Sequence, residues 1–159
     1  MIQHNIPPVY DENSKILILG SFPSVKSREG MFFYHHPQNR FWKVLSAVLG
    51  CDCPQTVEEK KVFLLTNNIA LWDVVQSCTV TGSSDSSIKD AVPNPLRMIL
   101  DNSRVMRIYT NGNTAYMLYN GLCREDIGID AIKLPSTSPA NAAFSLERLI
   151  GIWREKIYF

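Results

Sequence analysis

Residues 15 to 49 read KILILGSFPSVKSREGMFFYHHPQNRFWKVLSAVL, and this stretch decides the fold. Ile16 to Leu19 form an unbroken apolar run closed by Gly20, a pattern typical of a strand buried on both faces of a parallel sheet. The loop from Gly20 to Asn39 carries more hydrogen-bonding and aromatic groups than a connection requires. Apolar side chains at helical spacing resume at Arg40. Because ligands bind outside the carboxyl ends of strands in open α/β folds, we expect this loop to carry the functional site.

Strand-like and helix-like segments alternate along the rest of the chain. The chain begins with an extended arm of fourteen residues and the opening strand. The further predicted strands are Ile69–Val75, Val105–Thr110 and Ala131–Leu134. The predicted helices are Asn39–Leu49, Thr56–Asn67, one begun by an Asn94 cap and Pro95, one through Ala115 and Tyr119, and Asn141–Trp153. This order predicts an α/β protein with three α/β/α layers and a central parallel sheet of about four strands.

The length and composition indicate one domain over residues 1–159. A chain of 159 residues with 45% hydrophobic and 19% charged residues is near the usual size of a single domain with one core. The first residues have neither a basic start nor an apolar run, and no segment approaches the roughly 20 apolar residues of a membrane span. We therefore expect a protein of the cytoplasm that has no membrane partner and acts as a monomer.

The charge of the chain is balanced overall but not locally. A net charge of +1 excludes the strongly basic composition typical of many nucleic-acid binders. Between residues 26 and 43, however, the four cations Lys26, Arg28, Arg40 and Lys43 face a single acid, Glu29. This local excess is compatible with contacts to phosphate, and equally with an ordinary solvated surface.

The cysteines do not predict a metal site. Cys51 and Cys53 are the only close pair, and their spacing is not the Cys-x-x-Cys spacing of a zinc ribbon; Cys78 and Cys123 stand alone. We expect free, reduced thiols and no metal.

Two segments carry polar residues whose role is open at this stage. Asp73 interrupts the apolar strand Ile69–Val75 near its carboxyl end, where a charge is costly unless it is used or satisfied by neighbouring amides. The serine-rich segment Thr81–Ser87 is a flexible or capping loop in which Asp85 or the serines are available to cap a short helix or to contact phosphate.

Three segments together resemble the uracil-DNA glycosylase superfamily, and specifically its hypoxanthine-DNA glycosylase branch. They are GSFPS at 20–24, FYHHPQNRFW at 33–42 and LPSTSPAN at 134–141. HHPQNRFW is the specific part of the match, which spans most of the chain. The resemblance implies that double-stranded DNA containing a deaminated base is the partner, and it places the protein at the nucleoid.

The first motif departs from the pattern of the wider superfamily. Phe22 stands where an Asp or Asn usually works on the hydrolytic water, and the resemblance implies that Asn39 supplies the catalytic side chain instead. An amide can orient water and stabilise charge on the sugar, although it is a poor proton acceptor. The residue type and place of Asn39 also suit a cap for the helix that follows.

The remaining site predictions follow from the chemistry of a flipped base. A buried acceptor facing the ring N–H of a deaminated base would reject the normal bases, and Asp73 is a candidate for it, with a purely structural carboxylate as the alternative. His36 is a second catalytic candidate, although adjacent histidines commonly serve as surface groups. The predicted base-binding residues are Gly20, Ser21, Phe22, Pro23 and Asp73, and the predicted DNA-binding residues are Ser24, Lys26, His35, Arg40, Pro135, Ser136, Thr137 and Ser138.

The resemblance and the chemistry of these residues predict a monofunctional DNA glycosylase that hydrolyses the N-glycosidic bond of deaminated bases without a cofactor, with hypoxanthine preferred and uracil as a second candidate. Apart from Lys26, no lysine in the motif loops is placed to form a Schiff base, which argues against strand cleavage by β-elimination. Two alternatives stay open: a non-catalytic α/β domain that binds nucleic acid or a nucleotide, and a hydrolase of free nucleosides.

Overall fold

The computed structural model describes residues 1–159. Its strands are β1 (Ile2–Gln3), β2 (Ile16–Gly20), β3 (Ile69–Asp73), β4 (Val75–Thr79), β5 (Lys89–Pro93), β6 (Arg107–Asn111) and β7 (Ala131–Leu134). Its helices are α1 (Val25–Gly30), α2 (Phe41–Leu49), α3 (Val57–Thr66), α4 (Arg97–Leu100), α5 (Asn113–Leu122), α6 (Arg124–Ile127) and α7 (Leu146–Lys156). Both sets interleave along the chain, as expected of an α/β protein.

A four-stranded parallel sheet forms the centre of the molecule. Its strand order is β3-β2-β6-β7, and all three neighbouring pairs are parallel. The side chains of Ile16 to Leu19 in β2 are fully buried, which explains the unbroken apolar run of this segment. Helices flank the sheet, so the predicted α/β architecture with about four parallel strands is confirmed.

The sheet register gathers the strand ends at one edge. Gly20, the last residue of β2, lies opposite Asp73, the last residue of β3. On the other side of the sheet Asn111 lies opposite Leu134 at the ends of β6 and β7. The segments that follow β2, β3, β6 and β7 therefore start side by side, which is where ligands bind in parallel α/β sheets.

The helices pack where their apolar residues predict. Helix α2 contacts α7, and Phe41 of α2 meets Trp153 of α7 edge to face with ring centroids 5.8 Å apart. The side chain of Thr56 caps α3 and that of Ser145 caps α7, each by accepting a backbone N–H of the first turn. No helix combines the length and the apolar character needed to cross a membrane.

A second, antiparallel sheet was not predicted. It has the order β1-β4-β5 and joins the start of the chain to the segment after β3. The predicted strand Ile69–Val75 is therefore wrong at its end, because β3 stops at Asp73 and Val75 begins β4. At this break the backbone N–H groups of Val74 and Val75 donate to the carbonyls of Gly20 and Ser21, which ties β4 to the loop after β2.

Several predicted helix starts also need correction. Helix α2 begins at Phe41 rather than Asn39, and α7 begins at Leu146 rather than Asn141. Asn94 does not cap a helix: its buried side chain donates to the backbone carbonyl of Asp73 at 2.9 Å. Asp85 does not cap one either, since its carboxylate is bonded to another loop, as described below.

Candidate active site

A pocket of about 580 Å³ opens at the carboxyl ends of the parallel strands. It is lined by residues 20–24, by Phe33, Tyr34, His36 and Asn39, by Asp73, by residues 83–86, by Asn111 and Thr114, and by residues 136–140. The volume falls in the range of small-molecule sites and is sufficient for a nucleobase with its sugar. The segments 20–24, 33–42 and 134–141 and the side chain of Asp73 therefore meet in one cleft.

The side chain of Asn39 is fixed by two hydrogen bonds to its oxygen. Asn39 Oδ1 accepts from the hydroxyl of Thr137 at 2.8 Å and from the backbone N–H of Phe41 at 3.0 Å. The bond to Phe41 is made by a backbone donor, which identifies the bonded atom of the amide as its oxygen. The Nδ2 group is thus the part of Asn39 left for a ligand.

Thr137 is held in turn by Asn111 at the end of β6. Asn111 Nδ2 donates to Thr137 Oγ1 at 2.9 Å, and Asn111 Oδ1 accepts the backbone N–H of Thr137 at 3.1 Å. Both residues are buried. The hydrogen bonds from Asn111 to Thr137 and from Thr137 to Asn39 therefore connect the sheet to the segments 134–141 and 33–42. Thr137 is fully buried, and its hydroxyl holds Asn39 in place. The DNA contact predicted for Thr137 stays a prediction.

Arg40 joins the second motif loop to the third. Its guanidinium donates to the carbonyls of Ser138 and Asn141, both at 3.0 Å, and to that of Phe144, while its backbone N–H donates to Thr137 O at 3.1 Å. A guanidinium presents a rigid fork of donors, which suits this clamp. These bonds make Arg40 a structural link between the loops, although its Nε is buried without a hydrogen-bond partner. The DNA contact predicted for Arg40 stays a prediction.

Asp73 and Tyr34 lie together at the floor of the pocket. A methyl group built on Gly20 would sit 2.4 Å from Asp73 Oδ1 and 2.9 Å from Tyr34 Oη, so this glycine permits both side chains to approach the end of β2. Asp73 Oδ2 and Tyr34 Oη are buried and have no hydrogen-bond partner. Unsatisfied polar atoms on two side chains of the same pocket indicate a place where a ligand supplies the missing bonds.

The electrostatics of this pair follow from its burial. Asp73 is only 4% exposed. Burial, with a smaller contribution from Asp85, raises the pKa of Asp73 to about 8, so its carboxyl is largely protonated at neutral pH. Burial and then the Asp73 carboxyl raise the pKa of Tyr34 well above its ordinary value. Both groups therefore enter the pocket as neutral O–H groups that can donate as well as accept.

Phe22 forms an aromatic wall of the pocket. It is buried, and its ring packs edge to face on His4 with centroids 5.3 Å apart, while the Arg28 guanidinium lies 5.4 Å from its centroid. His4 Nε2 bonds to the Val75 carbonyl at 2.9 Å. Burial lowers the pKa of His4, and the resulting neutral imidazole supports the Phe22 ring. Stacking of a base on Phe22 stays a prediction.

The serine-rich loop closes one side of the pocket. Ser21 Oγ donates to Asp85 Oδ1 at 2.7 Å, Val25 N donates to Ser83 Oγ at 2.9 Å, and Arg28 donates to the Gly82 carbonyl at 2.9 Å. These three bonds attach residues 82–85 to the segment after β2. Asp85 thereby comes to line the same pocket as Asp73.

The two histidines of the second motif are placed differently. His36 lines the pocket, and its Nδ1 accepts the backbone N–H of Gln38 at 3.1 Å, so the neutral ring carries its proton on Nε2. His35 is exposed outside the pocket, and the space beside Gly30 is filled by its ring. Of the pair, only His36 is in a position to meet a substrate in the pocket.

The other predicted residues divide between the pocket and its surroundings. Ser21, Pro23, Ser24, Ser136 and Ser138 line it, although Ser24 also caps the short helix α1 by accepting from Ser27 N–H. Lys26 is exposed on α1, and its Nζ lies 3.9 Å from Glu29 Oε2. Pro135 lies behind the pocket, where its carbonyl accepts from the indole of Trp153 at 2.9 Å. The DNA contacts predicted for these residues stay predictions.

Sequence reasoning missed four contributors to the site. Tyr34 lies within a quoted motif without a predicted role, Asn111 directly follows the predicted strand Val105–Thr110, Asp85 is predicted only to cap a helix or to contact phosphate, and His4 lies in the extended arm. Three of them act through a partner far away along the chain: Asn111 and Thr137 are 26 residues apart, Ser21 and Asp85 are 64 apart, and His4 and Val75 are 71 apart. The one local signal was the position of Asn111 at the end of a predicted strand.

Comparison with known proteins gives a consistent result. The family model of the uracil DNA glycosylase superfamily matches residues 7–155. A hypoxanthine DNA glycosylase of Methanosarcina acetivorans is 36% identical over 149 residues, covering 93% of this chain and 94% of the relative. A hypoxanthine DNA glycosylase of Methanosarcina barkeri is 32% identical over 156 residues, covering 98% of both chains. The solution NMR structure of a M. acetivorans protein described as a candidate uracil DNA glycosylase superposes with a TM-score of 0.78 at 33% identity and 98% coverage of both chains.

Proposed function

This chain belongs to the uracil DNA glycosylase superfamily, and on that premise we propose that it removes deaminated bases from DNA, with hypoxanthine as its preferred base. The reaction is hydrolysis of the N-glycosidic bond, which leaves an abasic site. The observation that carries this proposal is a fixed Asn39 amide in the same pocket as the unpartnered Asp73 carboxyl. One group is suited to the hydrolytic water and the other to the base.

Recognition of the base rests on Asp73. Deamination of adenine leaves a carbonyl and a ring N–H side by side, and uracil has the same pair. A protonated carboxyl offers one donor and one acceptor, so Asp73 can bond both atoms at once, and Tyr34 can bond a further acceptor. A base that offers neither partner leaves two buried polar groups unsatisfied, at a cost of about 1–3 kcal/mol for each. Adenine and cytosine present the reversed pair of donor and acceptor, so Asp73 rejects them only when its proton is held on one of the two oxygens. The nucleotide must first leave the base stack, as in other enzymes that act on bases.

Asn39 orients the water that attacks the sugar. Its oxygen already accepts two hydrogen bonds, so its free Nδ2–H donates to the water oxygen and sets its position. A fixed donor of this kind needs no reorganisation during the reaction. Asn39 caps no helix in the usual sense, because α2 starts at Phe41 and Arg40 is its flanking residue. Its bond to the Phe41 N–H serves to hold the amide.

The departing base meets hydrogen-bond donors of the protein. Ser21, Phe22 and Ser24 line the pocket, and their backbone N–H groups are suited to a base that leaves with negative charge. His36 contributes a ring N–H on Nε2 to the same lining. His36 is thus a candidate to protonate or hydrogen-bond a purine leaving group.

The oligomeric state, the substrate and the cellular location belong to the same proposal. The protein acts as a monomer in this proposal, in keeping with a pocket lined by residues of one chain. The substrate is double-stranded DNA, and a cytoplasmic protein that acts on the chromosome would work at the nucleoid. The chemistry described above uses groups of the protein and water alone.

A panel of lesions tests this function. The protein is incubated in EDTA with duplexes that contain one deoxyinosine or one deoxyuridine. Strand breaks are then counted in samples treated with alkali and in untreated samples. We expect cleavage after alkali treatment only, faster for deoxyinosine, and none of the undamaged duplex. Free deoxyinosine is a parallel substrate: its hydrolysis in place of the duplex reaction would identify a nucleoside hydrolase. Binding of the lesion duplex without any excision would identify a non-catalytic binder.

A further inference from the structure

Asp85 is a pocket carboxylate for which the reaction described so far has no role. It lies at the rim in the serine-rich loop, and its Oδ1 accepts the Ser21 hydroxyl at 2.7 Å. The bonds of Gly82 and Ser83 to Arg28 and Val25 hold the loop in this place. A loop that only covered the pocket would not require an acidic side chain beside the end of β2.

Hydrolysis needs a proton acceptor that Asn39 does not provide. Both hydrogen bonds to Asn39 Oδ1 are made within the protein, and its Nδ2 is a donor only. Asp73 lies at the floor of the pocket, where burial favours its protonated form, and the proposed function already assigns it to the base. A water fixed by the Asn39 donor therefore needs a second group that accepts from it.

We propose that Asp85 is the catalytic carboxylate that accepts the proton of the hydrolytic water and stabilises positive charge on the sugar. The inference rests on the proposed glycosylase function. In the step, the bond between C1′ and the base nitrogen breaks and its electron pair leaves with the base. The water oxygen bonds to C1′, one water proton passes to the Asp85 carboxylate and then to solvent, and the base anion takes a proton from solvent.

The surroundings of the two acids assign them different tasks. Asp73 has buried, unpartnered oxygen and stays neutral, as required for pairing with a base. Asp85 is exposed at the rim and receives a hydrogen bond that favours its charged form, opposing the rise in pKa caused by partial burial of its carboxyl. Two acids with different environments in one cleft are a common basis for dividing acid and base roles.

Asp85→Asn is the variant that tests this role. The amide oxygen of asparagine still accepts the Ser21 hydroxyl, so the loop stays attached while the charge is removed. We expect single-turnover excision from a deoxyinosine duplex to fall at least about a hundredfold, the usual contribution of a positioned general base. Asp85→Ser, which matches the neighbouring serines, should show the same loss. Melting temperatures of both variants, compared with the wild type, establish that they are folded.

Two further variants separate catalysis from attachment of the loop. Asp90→Asn makes the same chemical change five residues away, outside the pocket, at a backbone φ of 54° that asparagine tolerates. We expect wild-type excision from it. Ser21→Ala breaks the bond to Asp85 but keeps the carboxylate, and we expect a smaller loss than for Asp85→Asn. An Asp85→Asn protein with near wild-type rate beside a slow Ser21→Ala protein would overturn the proposal.

The pH dependence supplies a second readout. The wild-type rate should fall on acidification as the Asp85 carboxylate is protonated, and this acid limb should be absent from the residual rate of Asp85→Asn. The other titratable or charged groups around Asp85 are Asp73, Tyr34, Arg28, Cys78 and His36. An unchanged acid limb in the variant would assign the titration to one of them and contradict the proposal. A wild-type protein that excises no base would instead overturn the proposed function itself.

Discussion

The hydroxyl of Thr137 donates to Asn39 Oδ1 at 2.8 Å across 98 residues of sequence. This bond joins the loop after the last parallel strand to the loop after the first. With the Phe41 N–H it uses both lone pairs of the amide oxygen, so Asn39 presents only donors to the pocket. Asn39 is thus a pre-positioned group rather than a flexible surface amide, and this is the basis for its assigned role.

Removal of the Thr137 hydroxyl should release Asn39. Thr137→Val keeps the shape of the side chain but leaves Asn111 Nδ2 buried without its acceptor, and we expect a loss of about 1–3 kcal/mol in the free energy of unfolding. Single-turnover excision should fall about tenfold or more because the amide is no longer fixed. Thr137→Ser is the matched control and should keep most of the rate. Equal rates for Val and Ser at this position would contradict the positioning role.

Replacement of Asp73 separates recognition from architecture. If Asp73 bonds the base, Asp73→Ala should lose about 10–100-fold in excision of hypoxanthine, and Asp73→Asn, which still offers a donor and an acceptor, should lose much less. Removal of a buried, unpartnered carboxyl oxygen should leave the protein no less stable at alkaline pH. The measurements are single-turnover rates and urea unfolding at pH 8.5. A destabilised Asp73→Ala protein with a normal rate would show that the carboxyl is structural.

Asp73 should also make stability depend on pH. Its pKa is raised from 3.8 to about 8 in the folded protein, so the folded state binds this proton more tightly than the unfolded state. Stability from this group is therefore full at low pH and is lost as pH rises from about 4 through 8. Asp73→Asn does not titrate, so the difference in unfolding free energy between variant and wild type should grow in favour of the variant over this window. A difference that stays constant with pH would contradict the assigned pKa.

The close approach at Gly20 predicts a further effect. The methyl group of Gly20→Ala would collide with Asp73 Oδ1 and Tyr34 Oη, so both must move and excision should drop about tenfold or more. Gly121→Ala is the control: it lies in α5 with nothing within 4 Å of the new methyl, and we expect it to stabilise the protein by about 0.5–1 kcal/mol with an unchanged rate. A Gly20→Ala enzyme as active as the Gly121→Ala control would show that the floor of the pocket does not contact the base.

Much of the fold was predictable from local patterns. The apolar run at Ile16–Leu19 indicates a buried strand, and the short segment Ala131–Leu134 indicates a strand; both are strands in the structure. The antiparallel sheet was not predictable in this way. Its strand Val75–Thr79 continues an apolar segment without a turn signal, and its first strand is two residues long. Pairing between such segments depends on tertiary context rather than on local propensity.

The site was predictable where residue type and motif coincide. Asn39 and Asp73 stood out because an amide in a specific motif and an acid in an apolar strand are unusual. Tyr34 and Asp85 did not, since an aromatic residue in a loop and an acid among serines have ordinary local explanations. Their positions depend on contacts with Gly20 and Ser21 that only the folded chain makes.

The most direct test of the account is the rate of excision by Asn39→Ala. With enzyme in excess over a duplex that contains one deoxyinosine, we predict a single-turnover rate at least about a hundredfold below that of the wild type, while the dissociation constant for the lesion duplex is unchanged. Asn39→Ser, whose hydroxyl can still accept the Phe41 N–H, should be equally slow and stably folded. Wild-type excision by either variant would contradict the assignment of the water-positioning role to Asn39.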